Sequence, residues 1–311
     1  MADCKSVTAV TSDRHHPRKD FEDAVKYAID LSNNHLRLLG RAGSLAGLRY
    51  LEIGPGSDFA PQLVLASHGV HVTLADKYIA QWDASYHPGF YEAFLERWTG
   101  PSDAIRAVLA RRSYAGIIRV VPEPCERLAS IRANSFDFVL YNAVLEHVSD
   151  VDRCAAELAR VTSPGGLHCH QVDFRYHKSF DRPLDHLLLG WDEYQRERRY
   201  GGGVVHGTMM RMPEMVEIFS RYFWIWDIVA NAHAQPDYTD EIRSKLPDDS
   251  PYKYWPVQML RETSGFFWLV SGIYIACRRL NPCDSDERFL SALASRHQQF
   301  RGNSLGTGQQ L

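Results

Sequence analysis

A chain of 311 residues with 45% hydrophobic and 12% aromatic content can bury a large core, as one large domain or one domain with a sizeable insertion, which excludes a disordered class. A formal net charge of -3 supplies no basic field for a nucleic-acid backbone, so the expected partner is a small molecule and no nucleic acid. The cysteines at 4, 125, 154, 169, 277 and 283 form no C-x-x-C pair, and no run approaches ~18 apolar residues, so we expect reduced thiols, a cytoplasmic location and no membrane partner.

Residues 1–18 include Ser12-Asp-Arg-His-His-Pro and show no apolar period, which predicts a flexible arm with His15 and His16 in solvent. From Phe21 to Leu39, apolar residues at 21, 25, 28, 29, 31, 36 and 39 recur at helical spacing. Arg49 to Tyr78 then reads as strand, turn, helix and strand. An apolar run ends in Glu52 and the turn Gly54-Pro55-Gly56, a helix-length apolar segment follows, and a second run ends in Asp76.

Glycine at 54 and 56 lets the backbone turn tightly and approach a ligand, and Pro55 stiffens the turn. Asp76 stands where an acid accepts ribose hydroxyls from a nucleotide cofactor. A dinucleotide site wants a third glycine, yet that position is Phe59, and Glu52 and Asp58 would repel a pyrophosphate. Those carboxylates suit a cofactor whose near end is a cationic amino acid.

Leu51-Glu-Ile-Gly-Pro-Gly56 resembles motif I of the class I S-adenosylmethionine-dependent methyltransferases, with Asp76 at the ribose-binding acid. The resemblance implies an α/β fold, a Rossmann-like seven-stranded and mostly parallel sheet with helices on both faces, plus inserted helical or loop lid segments. It implies S-adenosyl-L-methionine as cofactor, held by Glu52, Gly54, Pro55, Gly56, Asp76 and its neighbour Lys77, with the leading helix as a lid.

The family's usual connection after the second strand is one short helix, whereas residues 78–115 hold two helical patterns, around Tyr91–Trp98 and Ser102–Arg112. Trp82, Tyr86, His87 and Tyr91 of this insertion are candidates to face a substrate, with packing the commoner role for any one of them. Gly116–Val121 is a third strand. Glu123 after it matches the family's acidic residue near the adenine, with Cys125 or Glu126 as alternatives.

Ser135–Asn142 is a continuous apolar strand of a sheet buried on both faces, and it leads to Leu145-Glu-His-Val148 and a helix through Val161. Those motifs resemble the small-molecule branch that includes ubiquinone and menaquinone methylases, and the resemblance places Asn142 at the cofactor's methionine portion. Thr162-Ser-Pro-Gly-Gly166 reads as a turn. In the strand Leu167–Asp173, alternation sets His168, His170 and Val172 on one face and Cys169, Gln171 and Asp173 on the other. A metal site from His168, His170, Asp173 and His177 is set aside because its members point to opposite faces, so no metal is expected.

Residues 174–212 form a second insertion, with Trp191, a charged run at 193–199 and a possible glycine hinge at 201–203. A helix from Pro213 to Phe223 and strands at Trp224–Ala230 and Phe266–Cys277 complete the core. Residues 231–265, with Tyr254 and Trp255, split the last pair of strands. The methyltransferase domain is thus expected at 19–280, followed by a C-terminal extension at 281–311 that ends in a frayed tail.

Methyl transfer to a hydroxyl needs a base, and His147, His170 and His177 are the candidates because imidazole titrates near neutral pH. Tyr86, Gln171, Asp173, Trp191, Tyr254 and Trp255 are candidate substrate contacts. Oxygen methylation of a small metabolite is the first reading. The alternatives are carbon methylation of an isoprenoid or polyketide in an aromatic pocket, and a cofactor-binding regulatory protein without transfer activity. A homodimer is left open.

Overall fold

The computed structural model describes residues 21–40, 44–190, 192–193, 196, 209–232, 236–248, 250 and 270–279. The expected arm at 1–18, the extension at 281–311, Trp191, the glycines at 201–203, Tyr254 and Trp255 lie outside them. The chain divides into two compact units, Met1–Ile131 with Phe136–Phe138, and Arg132–Ser135 with Val139–Leu311.

In the first unit, β1 (Arg49–Ile53), β2 (His71–Ala75) and β3 (Arg119–Val121) run parallel in the order β3-β2-β1. Leu51 pairs with Thr73, and Leu74 with Val120. Both β1 and β2 expose their first residue and bury the next four, as strands covered on both faces do. The beginning of β4 (Phe136–Asn142) joins β1 here. The Arg49 guanidinium donates to Asp137 (2.9 Å from Nε), and Tyr50 stacks on Phe138.

The helices of this unit cover those strands. Helix α1 (Phe21–Gly40) buries Val25, Ala28, Ser32, His35 and Leu39, a stripe at three- to four-residue spacing, as its sequence pattern predicts. Glu22 and Asp23 in its first turn and Arg37 in its last complement the helix dipole. Helix α2 (Ala60–Ser67) follows the glycine turn and is buried from Ala60 through Leu65. The first insertion forms α3 (His87–Arg97) and α4 (Asp103–Arg111).

In the second unit, the rest of β4 precedes β5 (Thr162–Asp173), which pairs antiparallel with β7 (Val270–Arg279), and β7 pairs antiparallel with β6 (Phe223–Ala232). β5 is longer than expected, because the Thr162-Ser-Pro-Gly-Gly stretch continues the strand, with Gly165 at positive φ. Helix α5 (Val151–Val161) buries Val151, Cys154, Ala155, Leu158 and Val161, and Asp150 caps it by accepting from the Arg153 N–H at 3.0 Å. Helix α6 (Met212–Ser220) sets Met215 and Phe219 into the core.

The second and third insertions pack together. Leu184 and Leu187, in and beside the 3-10 turn Asp185–Leu188, form one apolar cluster with Met209 and with Ile242 and Leu246 from the region of α7 (Pro236–Lys245). Arg182 binds Asp185 and reaches Glu241 on α7 at 3.0 Å, while the Tyr238 hydroxyl donates to Asp185. Among the described residues, no helix is long and apolar enough to cross a membrane.

Candidate functional site

The glycine turn of the first unit has the backbone a nucleotide cofactor needs. Gly54 and Gly56 sit at φ 64° and 79°, and the Gly54 N–H is tied to the Ala75 carbonyl of β2 at 3.0 Å. A Cβ on Gly56 would meet no heavy atom within 4 Å, so the turn borders open space. At the tip of β2, the Asp76 carboxylate accepts from the Tyr78 N–H at 2.7 Å, which fixes its direction. Open space over a left-handed glycine beside an oriented strand-end acid fits the ribose and amino-acid portion of S-adenosyl-L-methionine.

The other sequence candidates of this unit have the following surroundings. Pro55 is half-buried in the turn. Lys77 is exposed and lays its ammonium over the Tyr78 ring at 5.1 Å. Glu123 accepts from the Ser130 N–H, which closes the loop after β3, and Cys125 is buried with its thiol toward Glu126 at 3.4 Å.

Glu52 departs from expectation. It is 1% exposed, and its Oε2 accepts from the Tyr50 hydroxyl at 2.5 Å and from His35 Nε2 at 3.2 Å. The other ring nitrogen of His35 meets the Leu31 carbonyl at 2.8 Å, so both nitrogens face oxygens, an arrangement that favours a charge on the ring. Burial opposes that charge, but the Glu52 charge, its hydrogen bond and the Leu31 carbonyl outweigh burial and raise the His35 pKa. The partner this structure gives Glu52 is therefore α1, whereas the sequence pattern pointed to a cofactor ammonium.

Sequence reasoning also missed how the turn is supported. His87 and Tyr91, weighed as substrate contacts, grip the turn's backbone. His87 donates from Nε2 to the Ser57 carbonyl and accepts the Asp83 N–H at Nδ1, which fixes its tautomer. The Tyr91 hydroxyl donates to the Asp58 carbonyl, so Tyr114 donates to Tyr91. Trp82, His87, Tyr91 and Tyr114 stack or meet edge-on around these bonds, and Tyr86 stacks on Phe90 against Phe21 of α1. Burial pushes the Asp58 carboxyl up to about 6, against the Ala60 N–H that favours its charge, with Glu52 adding to the rise.

In the second unit the polar residues of β5 divide as alternation predicts. His168 and His170 are buried, and Gln171 and Asp173 are half-buried. His168 bonds Thr162 Oγ1 at 2.9 Å and packs on Phe223, while His170 is fully enclosed by Tyr141, His168 and Phe219. Burial drives the His170 pKa down to about 3 and keeps the ring neutral. Enclosed on this face, His170 is a core residue and leaves the set of candidate bases.

The remaining histidines come together at the ends of β4 and β5. After Asn142 the chain passes through Ala143 at φ 53°, whose N–H bonds the Gln171 carbonyl, and enters the 3-10 turn Leu145–His147. At the end of β5, Asp173 binds the backbone and guanidinium of Arg175, and the Tyr176 N–H bonds the Pro183 carbonyl, which folds the following loop back. His177 thereby lies beside His147, ring centroids 5.0 Å apart, with its Nε2 3.9 Å from Asp173.

Glu146 completes this group and was not singled out in the sequence, where Leu145-Glu-His-Val148 drew attention only to the histidine. It is 1% exposed. Burial first, and then Asp173, raise its pKa to about 8, against the backbone N–H groups of Glu146 and Asp173 and the Arg175 charge. Those N–H groups approach the carboxylate without meeting hydrogen-bond geometry. No signal of spacing ties Glu146 to His177, because the contact depends on the loop after β5.

Residues 96–169, from the end of α3 into β5, match a family model described as a methyltransferase domain. The chain is similar to a putative sarcosine dimethylglycine methyltransferase from Galdieria sulphuraria, at 14% identity over 86% of this chain and 90% of that one, TM-score 0.43. It is also similar to an S-adenosylmethionine-dependent methyltransferase from Mesorhizobium loti, at 16% identity over 80% and 100%, TM-score 0.44. A third is phosphoethanolamine N-methyltransferase 2 of Haemonchus contortus, in complex with S-adenosyl-L-methionine, at 14% identity over 86% and 59%, TM-score 0.45. No curated protein matches the sequence. What these comparisons show is a segment similar to a methyltransferase domain over residues 96–169.

Proposed function

We propose that the enzyme methylates a hydroxyl oxygen of a small metabolite, with proton removal at the His147–His177 pair. The observation that carries this reading is the adjacency of those two imidazoles just past the carboxyl ends of β4 and β5, the end of an open α/β sheet where ligands bind. Imidazole is suited to take a proton near neutral pH, and the Asp173 carboxylate stands 3.9 Å from His177 Nε2.

In this reading the cofactor is held in the first unit, through Gly54, Gly56 and Asp76 with Glu123 and Cys125 at the adenine end. When bound it supplies an electrophilic methyl group on a sulfonium. The net charge of -3 supports a small acceptor over a nucleic acid. Gln171 and Asp173 are the described residues that face an acceptor in this reading. The carbon-methylation alternative loses support, because Trp82, Tyr91 and Tyr114 pack against one another and brace the glycine turn.

The test is methyl transfer from labelled S-adenosylmethionine into a panel of hydroxylated metabolites, by wild-type protein and by His177→Ala. A methyl ether product, with turnover lowered by ~10²-fold or more in the variant and cofactor affinity kept, is the expected result. A product methylated on carbon or nitrogen contradicts the reading.

A further inference from the structure

We infer that Glu146, His147 and His177 form a binding site for one divalent transition-metal ion. Glu146 and His147 stand on the 3-10 turn after β4 and His177 on the loop after β5, with one donor atom from each within 4.8 Å of the others. Glu146 is buried, and neither of its carboxylate oxygens has a hydrogen-bond partner. A buried carboxyl group whose two oxygens lack a well-formed hydrogen bond is costly, and a cation bound there would relieve that cost.

The donor set has its own chemistry. Two imidazoles and one carboxylate are the ligands that hold Zn²⁺ and related first-row ions in sites with an open coordination position, whereas Mg²⁺ and Ca²⁺ prefer all-oxygen sets. With bonds of about 2.1 Å, tetrahedral donors stand about 3.4 Å apart, so modest side-chain rotation closes the three residues on an ion. Asp173, anchored by Arg175, stands 3.9 Å from His177 Nε2, on the side from which an outer carboxylate would orient an imidazole bound through Nδ1. This set differs from the combination of His168, His170, Asp173 and His177, whose first two members lie in the core.

The inference rests on the proposed function for the hydroxyl acceptor and the methyl transfer, and it replaces the imidazole base of that reading with the ion. An acceptor hydroxyl in the open position has its pKa lowered and releases its proton to water. The oxygen lone pair then forms the O–CH₃ bond as the bond from carbon to sulfonium sulfur breaks with its electron pair. The products are the methyl ether, S-adenosylhomocysteine and one proton. The imidazoles serve as ligands in that step, and the ion does the work a base would do.

Full-length, tag-free protein stripped with a chelator is titrated with Co²⁺ by visible absorption and with Zn²⁺ by competition against a chromophoric chelator. We expect one ion per chain, with affinity lowered by about 10- to 100-fold in both Glu146→Gln and His177→Asn and urea unfolding midpoints near the wild-type value. No stoichiometric binding by the wild type, or equal affinity in both variants, overturns the site. Binding is read without cofactor or acceptor, so a bound ion without methyl transfer supports the site and defeats the oxygen-methylation reading. Undiminished transfer by stripped protein that takes up no ion overturns the site and leaves that reading standing.

Discussion

His87 of the first insertion donates its Nε2 hydrogen to the backbone carbonyl of Ser57, 3.0 Å away in the glycine turn. With Tyr91 donating to the next carbonyl, that of Asp58, helix α3 holds the peptide groups that follow Ser57 and Asp58. The glycine turn is thus braced by a segment whose His87 and Tyr91 the sequence offered as substrate contacts.

Tyr91→Phe keeps the ring stack on Trp82 and removes one of these two bonds. Losing a hydrogen bond of this kind costs about 1 kcal/mol, or about fivefold in affinity. Calorimetry of S-adenosylmethionine binding by Tyr91→Phe should show that fall with the unfolding midpoint little changed. Wild-type affinity in the variant removes α3 from the cofactor site.

The two histidine faces of the second unit predict opposite behaviour. His177→Ala should lower turnover by ~10²-fold or more, because its ring stands with His147 and Asp173 at the strand ends. His170→Leu should leave turnover within a few-fold of wild type, since Tyr141, His168 and Phe219 enclose that ring. Steady-state kinetics on both variants decides the matter, and a collapse of turnover in a folded His170→Leu protein would restore His170 as a base.

His170 also sets a pH dependence. Burial lowers its folded-state pKa from 6.5 to about 3, so between those values the unfolded chain binds more protons. Its contribution to stability is therefore complete above pH 6.5 and is lost as pH falls through the folded pKa. At pH 5 the loss is about 2 kcal/mol. Urea denaturation at pH 7 and pH 5 should show a gap that shrinks by about that amount in His170→Leu. An identical gap in both proteins contradicts the assignment.

Much of the fold was legible because it is written in local periodicity. The continuous apolar runs of β1, β2 and β4, the stripe of α1 and the alternation of His168, His170 and Val172 on β5 each follow from burial on one face or two. The left-handed backbone at Gly54 and Gly56 was legible because a positive φ narrows the choice of residue. Long-range partnerships were not. Glu52 reads as a ligand contact until His35 is found beside it, and Glu146 reads as incidental until the loop after β5 brings His177 near. The link from Arg182 to Glu241 joins two segments that the sequence treats as separate insertions, and no spacing rule spans that distance.

Calorimetric titration of S-adenosylmethionine into wild-type protein and Asp76→Ala tests the central claim most directly. The account predicts low-micromolar or tighter binding by wild type, a loss of at least about 1.5 kcal/mol in the variant from the missing charge-assisted hydrogen bonds to the ribose, and no comparable binding of NAD. Equal affinity in the two proteins, or tight binding of NAD in place of the sulfonium cofactor, would contradict it.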